Sequence, residues 1–345
     1  DATGNDILEM QRILEGAGNS VSIMVPENRS RNLTIKPQLD LLKKADCIIY
    51  HLSIHWAEAQ VLLRQASRPV VLRYHNITPG DFFRPYRPDL GHLCDQGRES
   101  LGELLDLSIA VLANSNFSAG ELRDLVPVER TFVLPPLQAM DALIKEPPAE
   151  HVLKSLSVYP DKVATFLSVG RVVPNKNHVL MIEAFAHYVA RYPLARLIIA
   201  GKLDPSLKLY LNELREWVRK FHLKDQVVFA GALKRSELKA YYCSADALLA
   251  LSLHEGFCVP PVEAMSMMVP VISSARTALA ETAQFALVPP VLDAATVAAS
   301  MEAIQGPELR GPLVAAAFEN YIMNFTGEKL EGRMREVWSR VLALI

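Results

Sequence analysis

The sequence predicts an α/β fold of two similar layered domains, each built on a doubly wound parallel sheet. Apolar runs of strand length alternate with helical patterns along nearly the whole chain, which is typical of parallel strands joined by crossover helices. A length of 345 residues is enough for two domains. The alternation falls into two blocks on either side of a proline-rich, poorly periodic stretch at 135–160, where we expect the linker.

The first block opens with a helical pattern and continues with four strand-like runs. Residues 5–17 carry apolar side chains at helical spacing, and Gly18 follows them as a helix stop. The runs are short and mostly β-branched or aliphatic, as in buried parallel strands: 46–50, 69–74, 108–113 and 131–134.

The second block alternates strands and helices more regularly. We predict strands at 164–169, 196–200, 227–230, 247–251 and 271–273. Helices are predicted between them at 179–190, 206–221, 236–243 and 262–268. A final amphipathic pattern at 330–345 predicts a last helix.

Composition narrows the function classes. Half of the residues are hydrophobic, 21% are charged and the formal net charge is −2, which is the opposite of a disordered composition. The balance of 36 Lys and Arg against 38 Asp and Glu disfavours a nucleic-acid reader, which needs an excess of cations. The four cysteines form no C-x-x-C pair, so we expect reduced thiols in a cytoplasmic protein. No apolar run in the sequence approaches the ~20 residues that span a bilayer.

The segment 254–265 carries the most informative side chains. Glu255 and Glu263 stand eight positions apart, after a predicted strand and across a Gly/Pro turn. Ligands of doubly wound sheets bind at the carboxyl ends of strands, and a helix start offers free N–H groups to an anion. We expect Glu263 in the first turn of a helix begun by two prolines, placed to accept hydrogen bonds from a diol. Glu255 is expected on the preceding loop, facing the same crevice.

A second loop, at 168–177, follows the first strand of the second block. It carries Arg171 and Lys176 five positions apart, as a clamp on a diphosphate requires. The loop has no G-x-G-x-x-G pattern and the chain has no Walker sequence. We therefore expect side chains to neutralise the phosphates.

Simpler interpretations stay open for each feature. The two glutamates would also suit a surface carboxylate and a helix N-terminal charge, and the two cations would suit a solvated loop. His75 would also suit a strand-end histidine bonded to backbone. His51 and His55 have a spacing that fits a metal on a helix, but they lie just past a strand with no Cys or Glu nearby to complete a site. We predict no metal site.

Taken together, these motifs resemble a known family. They are G-R-x-x-x-x-K-N at 170–177, A-G at 200–201, F-x-G at 229–231, the Tyr241-Tyr242 pair and E-G-F-x-x-P-P-x-E-A-M at 255–265. In the first block, 74–83 and 113–118 are similar to the same family. The chain resembles the nucleotide-sugar-dependent retaining glycosyltransferases of family 4, particularly bacterial polysaccharide and glycoconjugate members, over nearly its whole length.

The resemblance implies roles for the residues singled out above. Arg171 and Lys176 would hold the donor diphosphate, Glu263 the ribose hydroxyls and Glu255 the transferred sugar. His75 would face that sugar across the interdomain cleft. The resemblance also implies backbone contacts to the sugar from Gly256, Phe257, Cys258 and Val259. The base would lie near Ala232 and Leu233.

The resemblance also implies an organisation. The GT-B fold has two Rossmann-like domains facing a cleft, which we place at 1–155 on the acceptor side and 156–325 on the donor side. Residues 326–345 would form a helix that packs back on the N-terminal domain. The family begins with a strand and a glycine-rich loop, so we expect that strand to be missing from this sequence and Gly4 to belong to the acceptor-side loop. Cys258 stands where a glycine is common in the family.

The expected function is transfer of a hexose, of mannose or glucose type, with retention of anomeric configuration. The donor would be a GDP- or UDP-linked sugar, and the acceptor a hydroxyl of a carbohydrate or lipid-linked glycan. No cofactor is expected. The alternatives are a nucleotide-sugar-binding protein without catalysis, or an epimerase or phosphorylase on the same architecture. Peripheral association with the inner face of the membrane and the oligomeric state are left open.

Overall fold

The computed structural model describes residues 2–25, 39–138, 140–157 and 163–345. The chain divides into two units, and each carries its own parallel sheet with helices. Unit 1 is Asp1–Asp81, Asp89–Gln138 and Glu328–Ile345, and unit 2 is Phe82–Pro88 and Ala139–Gly327. The predicted α/β class with two parallel sheets is confirmed.

Unit 1 is built on a four-stranded sheet with the order β1-β2-β3-β4. The strands are β1 (Ile48–Leu52), β2 (Val70–Tyr74), β3 (Ser108–Ala113) and β4 (Thr131–Val133). All five residues of β2 are buried, as expected for the middle of a parallel sheet that is covered on both faces. Leu52 of β1 pairs with Tyr74 of β2, which pairs with Ala113 of β3, so these three strands end at one edge.

The helices that cover the unit 1 sheet are α1 (Ala2–Gly16), α2 (Leu39–Lys44), α3 (Ala57–Ala66), α4 (Pro88–Glu99), α5 (Leu101–Asp106) and α6 (Asn116–Gly120). In α1, Met10, Ile13 and Leu14 are buried, which explains the helical spacing of apolar residues in the sequence. The expected position of Gly4 on a loop is wrong, because α1 begins at Ala2 and Gly4 lies in its first turn.

Unit 2 is built on a five-stranded sheet with the order β7-β6-β5-β8-β9. The strands are β5 (Thr165–Val169), β6 (Arg196–Ala200), β7 (Val227–Gly231), β8 (Ala247–Ala250) and β9 (Val271–Ser273). The chain order reverses between the neighbours β5 and β8, because β6 and β7 continue to one side and β9 to the other. This is the topological switch point of a doubly wound sheet, where a crevice forms outside the strand ends.

The helices of unit 2 are α7 (Met140–Lys145), α8 (Glu150–Leu156), α9 (His178–Val189), α10 (Lys208–Lys220), α11 (Arg235–Ser244), α12 (Val259–Ser266), α13 (Leu279–Thr282), α14 (Ala294–Ala303) and α15 (Pro307–Asn324). Helices α7 and α8 occupy part of the proline-rich stretch that suggested a linker. They are held on α11, since Ala149 N–H donates to Ser236 O at 2.9 Å and Lys239 Nζ donates to Ile144 O at 2.9 Å. Residues 158–162 of that stretch lie outside the described residues.

The last helix, α16 (Gly327–Leu342), lies almost wholly within unit 1. It buries Leu330, Met334, Val337 and Val341, which are the apolar positions of the amphipathic pattern. On its polar side, Glu331 accepts a hydrogen bond from Arg12 of α1 at 2.9 Å.

Among the described residues, none of the helices combines the length and apolar character needed to cross a membrane.

A buried histidine in unit 2 should make the stability of the native state fall at acidic pH. His178, the first residue of α9, is buried, and its Nδ1 lies 3.2 Å from the Tyr210 hydroxyl. Burial, followed by the charge of Lys176, lowers the pKa of His178 to about 3. In the unfolded chain this histidine has its ordinary pKa of 6.5 and binds a proton below that pH. In the native state it stays neutral until the pH falls to about 3. We expect the free energy of unfolding to fall by roughly 3 kcal/mol between about pH 6.5 and 4.5 from this group alone.

Urea denaturation across this pH range measures the effect. His178→Gln should flatten the pH dependence, while the exposed His151→Gln should leave it unchanged. Equal slopes in wild type and His178→Gln would show that His178 is not buried in its neutral form.

Candidate functional site

The candidate site lies in unit 2, on the two loops that leave the sheet at its switch point. Residues 170–177 follow β5, and residues 251–258 follow the neighbouring strand β8. These are the two segments that the sequence singled out, and the sheet topology brings them side by side. The site is therefore a property of this one unit.

Close backbone packing shapes the first loop. Gly170 has a φ of +135° and Gly201, at the end of β6, has a φ of +153°. A Cβ added to Gly201 would stand 1.7 Å from the Gly170 carbonyl oxygen, so only glycine fits there. A Cβ on Gly170 would stand 3.3 Å from Lys176 Cε and Nζ. The glycines of both motifs thus allow the loop to close over Lys176.

Lys176 forms a largely buried ion pair with Glu255. Its Nζ lies 2.6 Å from Glu255 Oε1, and the two side chains are only 15% and 12% exposed. The same Nζ lies 3.8 Å from Cys258 Sγ. Burial works to lower the pKa of Lys176, but Cys258 and the Glu255 carboxylate more than offset it, so this pKa lies above its ordinary value. Lys176 therefore stays charged, with its remaining N–H groups able to meet an anion.

Arg171 is placed differently from Lys176. Its side chain is 56% exposed, and its Nη2 lies 3.6 Å from Asp204 Oδ2. An exposed cation of this kind can move from Asp204 onto a ligand at a small cost in free energy, because ion pairs on the protein surface are weak. The structure thus supplies one buried and one exposed cation on the same loop.

Two side chains that the sequence did not suggest fix the second loop. Asn175 is buried; its backbone carbonyl accepts from the Leu253 N–H at 2.8 Å, and its side-chain Nδ2 donates to His254 O at 3.0 Å. Thr277 Oγ1 accepts from Glu255 N–H at 2.9 Å. Glu255 is therefore held from both sides by bonds between loops. No local sequence signal could have shown these partners, because they are 22 to 79 positions away from the groups they bind.

The start of α12 differs from the expectation. The helix begins at Val259, so Pro260 and Pro261 are its second and third residues, and Glu263 lies in the second turn rather than the first. Because proline has no N–H, the first three residues offer only the amide of Val259. Cys258 precedes the helix with a φ of +73°, a conformation that favours the glycine common at this position in the resembled family.

Glu263 is oriented by a buried tyrosine of α11. The Tyr242 hydroxyl donates to Glu263 Oε2 at 2.7 Å and lies 3.3 Å from Pro260 O. Burial raises the pKa of Glu263 above its ordinary value, and the Tyr242 hydrogen bond and Lys176 offset only part of this effect. The sequence contained Tyr242 within a motif, but its role as the partner of Glu263 depends on the packing of α11 against α12.

The other expected donor contacts also lie in unit 2. Ala232 is exposed and Leu233 partly buried, both just beyond β7. Gly256 and Val259 are partly buried, and Phe257 is buried with its ring centroid 6.0 Å from that of Phe325. These residues follow β7 and β8, so they line the same edge of the sheet as Arg171 and Lys176.

His75 lies in unit 1, directly after β2. Its backbone N–H donates to Leu52 O at 3.0 Å, and its ring Nε2 lies 2.9 Å from His51 Nδ1. Asp6 Oδ2 of α1 lies 3.6 Å from His75 Nε2 and 3.7 Å from His51 Nδ1. The sequence spacing suggested His51 and His55 as neighbouring side chains. In the fold, His51 instead lies beside His75 and Asp6. His55 instead contacts Gln60 Nε2 through its Nδ1 at 3.2 Å.

A fully buried arginine completes this group. Arg73 of β2 donates through Nε to Asp6 Oδ2 at 2.9 Å and through Nη2 to Asp6 Oδ1 at 3.1 Å. Burial works to raise the pKa of Asp6, but the charge and hydrogen bonds of Arg73 more than offset it, so this pKa lies below its ordinary value. Burial lowers the pKa of His51 to about 4 and that of His75 well below its ordinary value. The group is therefore an anion paired with a cation, beside two neutral imidazoles.

Part of the chain is similar to known glycosyltransferases. Residues 155–318 match the family model described as "Glycosyl transferases group 1". The O-antigen chain mannosyltransferase RfbU of Salmonella typhimurium is 37% identical over 114 residues, which cover 33% of this chain and 30% of that protein. The matched segments span only 24% to 30% of the length of three curated relatives.

Solved structures resemble the chain over most of its length. Sucrose-phosphate synthase from Thermosynechococcus elongatus has a TM-score of 0.74 at 19% identity, covering 98% of this chain and 93% of that one. HepE of Anabaena in complex with UDP and glucose has a TM-score of 0.71 at 17% identity, covering 87% and 80%. At these identities the likeness shows the fold, which is that of the GT-B glycosyltransferases.

Proposed function

We propose that the chain is a glycosyltransferase that moves a hexose from a nucleoside diphosphate sugar to a hydroxyl of a carbohydrate or lipid-linked glycan. The observation that carries the proposal is the cluster of Lys176, Glu255 and Glu263, with Arg171 nearby, at the switch point of the unit 2 sheet. All four residues fall inside the segment that matches the glycosyltransferase family. A binding protein without catalysis, an epimerase or a phosphorylase is not favoured, since the relatives are named transferases and synthases.

The diphosphate would bind between the two cations of the β5 loop. Lys176 is held in place by Glu255, so it would meet the phosphate without losing further side-chain entropy. Arg171 is exposed and would move from Asp204 onto the ligand with its planar pair of donors. As the glycosidic bond breaks, negative charge grows on the leaving diphosphate, and a preorganised buried ammonium stabilises it more than water does.

Glu255 would hold a hydroxyl of the transferred sugar. Its backbone is fixed by Thr277 and its carboxylate by Lys176, which suits a group that orients a substrate. We assign it no nucleophilic role. For retention, the leaving phosphate oxygen would take the acceptor proton on the same face of the sugar as the new bond forms. This proton transfer needs no further base from the chain.

Glu263 would bind the ribose. Tyr242 occupies Oε2, which leaves Oε1 for the ribose hydroxyls. Ala232 and Leu233, beyond β7, are proposed to lie near the base, and Gly256 to Val259 would lie along the sugar. His75 is proposed to contact the transferred hexose. We propose mannose or glucose as the sugar, because the relatives include a mannosyltransferase and a structure that holds UDP and glucose.

Tyr242→Phe should weaken nucleoside diphosphate binding by at most about 10- to 150-fold, since the hydrogen bond that orients the charged Glu263 carboxylate is worth roughly 1.5 to 3 kcal/mol. Calorimetry measures the affinity. Tyr241→Phe, one residue earlier on the same helix, is the matched control and should bind as wild type does. Equal affinity in both variants would mean that Tyr242 does not orient Glu263 for the ligand.

Turnover should continue in excess EDTA, because Arg171 and Lys176 meet the diphosphate charge that a divalent ion would otherwise neutralise. The chain also contains no D-x-D sequence. Assays with and without the chelator measure this directly. A complete loss that Mn²⁺ or Mg²⁺ restores would overturn the metal-independent mechanism.

The test of the proposed function is a panel of nucleotide sugars, with GDP- and UDP-linked hexoses first. Thermal shift reports which donor binds, and release of the nucleoside diphosphate reports whether it reacts. Binding without release in the presence of acceptor glycans would favour the non-catalytic alternative.

A further inference from the structure

Three side chains lie together at the carboxyl end of the unit 1 sheet: Asp6 of α1, His51 of β1 and His75 beyond β2. The proposed function assigns no role to Asp6 or His51. We propose that His51 is a positioning residue for His75: the hydrogen bond between the two imidazoles couples their tautomers and fixes the ring of His75. The functional part of this proposal rests on the proposed contact of His75 with the sugar. The structural part does not.

Asp6 has room for one more hydrogen-bond donor. A carboxylate offers about four lone-pair sites. Oδ1 accepts from Leu137 N–H at 2.6 Å and from Arg73 Nη2 at 3.1 Å, and Oδ2 accepts from Arg73 Nε at 2.9 Å. The remaining site belongs to Oδ2, which is also the oxygen near both imidazoles. Asp6 thus faces His51 and His75 almost equally, at 3.7 and 3.6 Å.

The two imidazoles share one proton. Their facing nitrogens, His51 Nδ1 and His75 Nε2, are 2.9 Å apart, which is a hydrogen-bond distance. One nitrogen must carry the proton and the other a lone pair. A neutral imidazole has one N–H, so the position of this inner proton fixes the outer nitrogens as well. If His51 Nδ1 carries it, His75 Nδ1 is a donor; if His75 Nε2 carries it, His75 Nδ1 is an acceptor.

A second proton or a metal ion would meet an unfavourable field here. The charge of Asp6 is already matched by Arg73, which is fully buried and donates to both carboxylate oxygens. A further positive charge on His51 or His75 would lack a counter-ion of its own, because Asp6 is already paired with Arg73. Water would screen that charge poorly, since the side chains of Asp6, His51 and His75 are only 0% to 12% exposed. The spacing of the three atoms would fit a divalent ion, but the guanidinium beside Asp6 Oδ2 opposes it. The geometry points to a neutral pair.

The hydrogen bond between the two imidazoles determines whether the outer nitrogen of His75, Nδ1, is a donor or an acceptor. His75 Nε2 is held by His51 Nδ1 at 2.9 Å, so the proposed sugar contact of His75 would be made through Nδ1. A sugar hydroxyl can donate or accept a hydrogen bond, so it can bind either tautomer of the coupled pair. Removing His51 would leave His75 Nε2 facing Asp6 alone. His75 would then bind a second proton more readily and lose its fixed ring position.

Selective ¹⁵N-histidine NMR on the full chain tests the structural part. In wild type, we expect His75 to stay neutral well below the pH at which a free histidine titrates, with the shifts of His75 and His51 changing together. His51→Phe should move the His75 titration upward, toward that of a free histidine. His51→Asn, whose amide lies near the former Nδ1 position, should restore part of the wild-type behaviour and guards against a folding defect in the phenylalanine variant. His55→Phe is the matched control and should change neither resonance.

Kinetics test the functional part. His51→Phe should lower kcat about tenfold and leave donor KM within about twofold, as expected for one hydrogen bond that matters in the reacting complex. An ordinary titration of His75 in wild type, or no change in His51→Phe, would overturn the proposal. Displacement of both histidine signals by equimolar Zn²⁺ would replace it with a metal site. If the NMR pattern holds but no donor reacts, the coupled pair stands and the proposed transferase function fails.

Discussion

Replacing Arg171 and Lys176 together with alanine should abolish the thermal stabilisation that a nucleoside diphosphate gives the native protein. A ligand at about 100 times its Kd stabilises the native state by about 2.7 kcal/mol, which is roughly 5 to 10 °C in Tm for a domain of this size. The variant removes both cations of the β5 loop, so the diphosphate would lose its principal counter-charges. Differential scanning fluorimetry with UDP and GDP measures the shift.

The controls for this experiment come from the same unit. Arg191→Ala/Lys224→Ala removes two exposed cations that precede β6 and β7, at the opposite edge of the sheet, and should keep the full shift. Lys176→Ala leaves the Glu255 carboxylate without its partner, which can destabilise the fold. Lys176→Met/Glu255→Gln avoids that charge and should also lose most of the shift. An undiminished shift in a folded Arg171/Lys176 variant would place the diphosphate elsewhere.

Glu255→Gln and Glu263→Gln should have opposite kinetic signatures. Glu255→Gln should lower kcat by about 10- to 150-fold, because a charge-assisted bond beside the reacting sugar is worth roughly 1.5 to 3 kcal/mol. It should not weaken nucleoside diphosphate binding, since it frees Lys176 from its ion pair. Glu263→Gln should instead weaken that binding, because Glu263 is proposed to contact the ribose, which does not react.

Calorimetry with the nucleoside diphosphate and steady-state kinetics with the full donor separate the two effects. If Glu255→Gln lost diphosphate affinity and Glu263→Gln kept it, the roles of the two carboxylates would be reversed. If neither variant changed either quantity, both residues would be structural.

The strands and the two loops could be predicted because their signals are local. Buried parallel strands are short apolar runs, and the runs at 108–113, 196–200 and 271–273 match β3, β6 and β9 residue for residue. The loops after β5 and β8 could be located because motif spacing and sheet topology both place them at strand ends. The start of α12 was predicted too late: two prolines and the range 262–268 were expected to begin the helix, but it begins at Val259.

The contacts that set charge could not be predicted, because they join distant positions. Lys176 and Glu255 are far apart in sequence, and nothing in either motif shows that they form a buried ion pair. The pairing of His51 with Asp6 and His75, rather than with His55, depends on α1 lying beside the ends of β1 and β2. Helices α7 and α8 were hidden by the prolines around them.

The measurement that tests the central claim most directly is transfer of a labelled hexose from a nucleotide sugar by wild type, Glu255→Gln and the Arg191→Ala/Lys224→Ala control. We predict that wild type and control release nucleoside diphosphate and label an acceptor glycan at equal rates from at least one GDP- or UDP-linked hexose. We predict that Glu255→Gln does so at least about tenfold more slowly. A wild-type protein that binds the donor but never transfers the hexose, or a Glu255→Gln variant as fast as wild type, would contradict the assignment of this site.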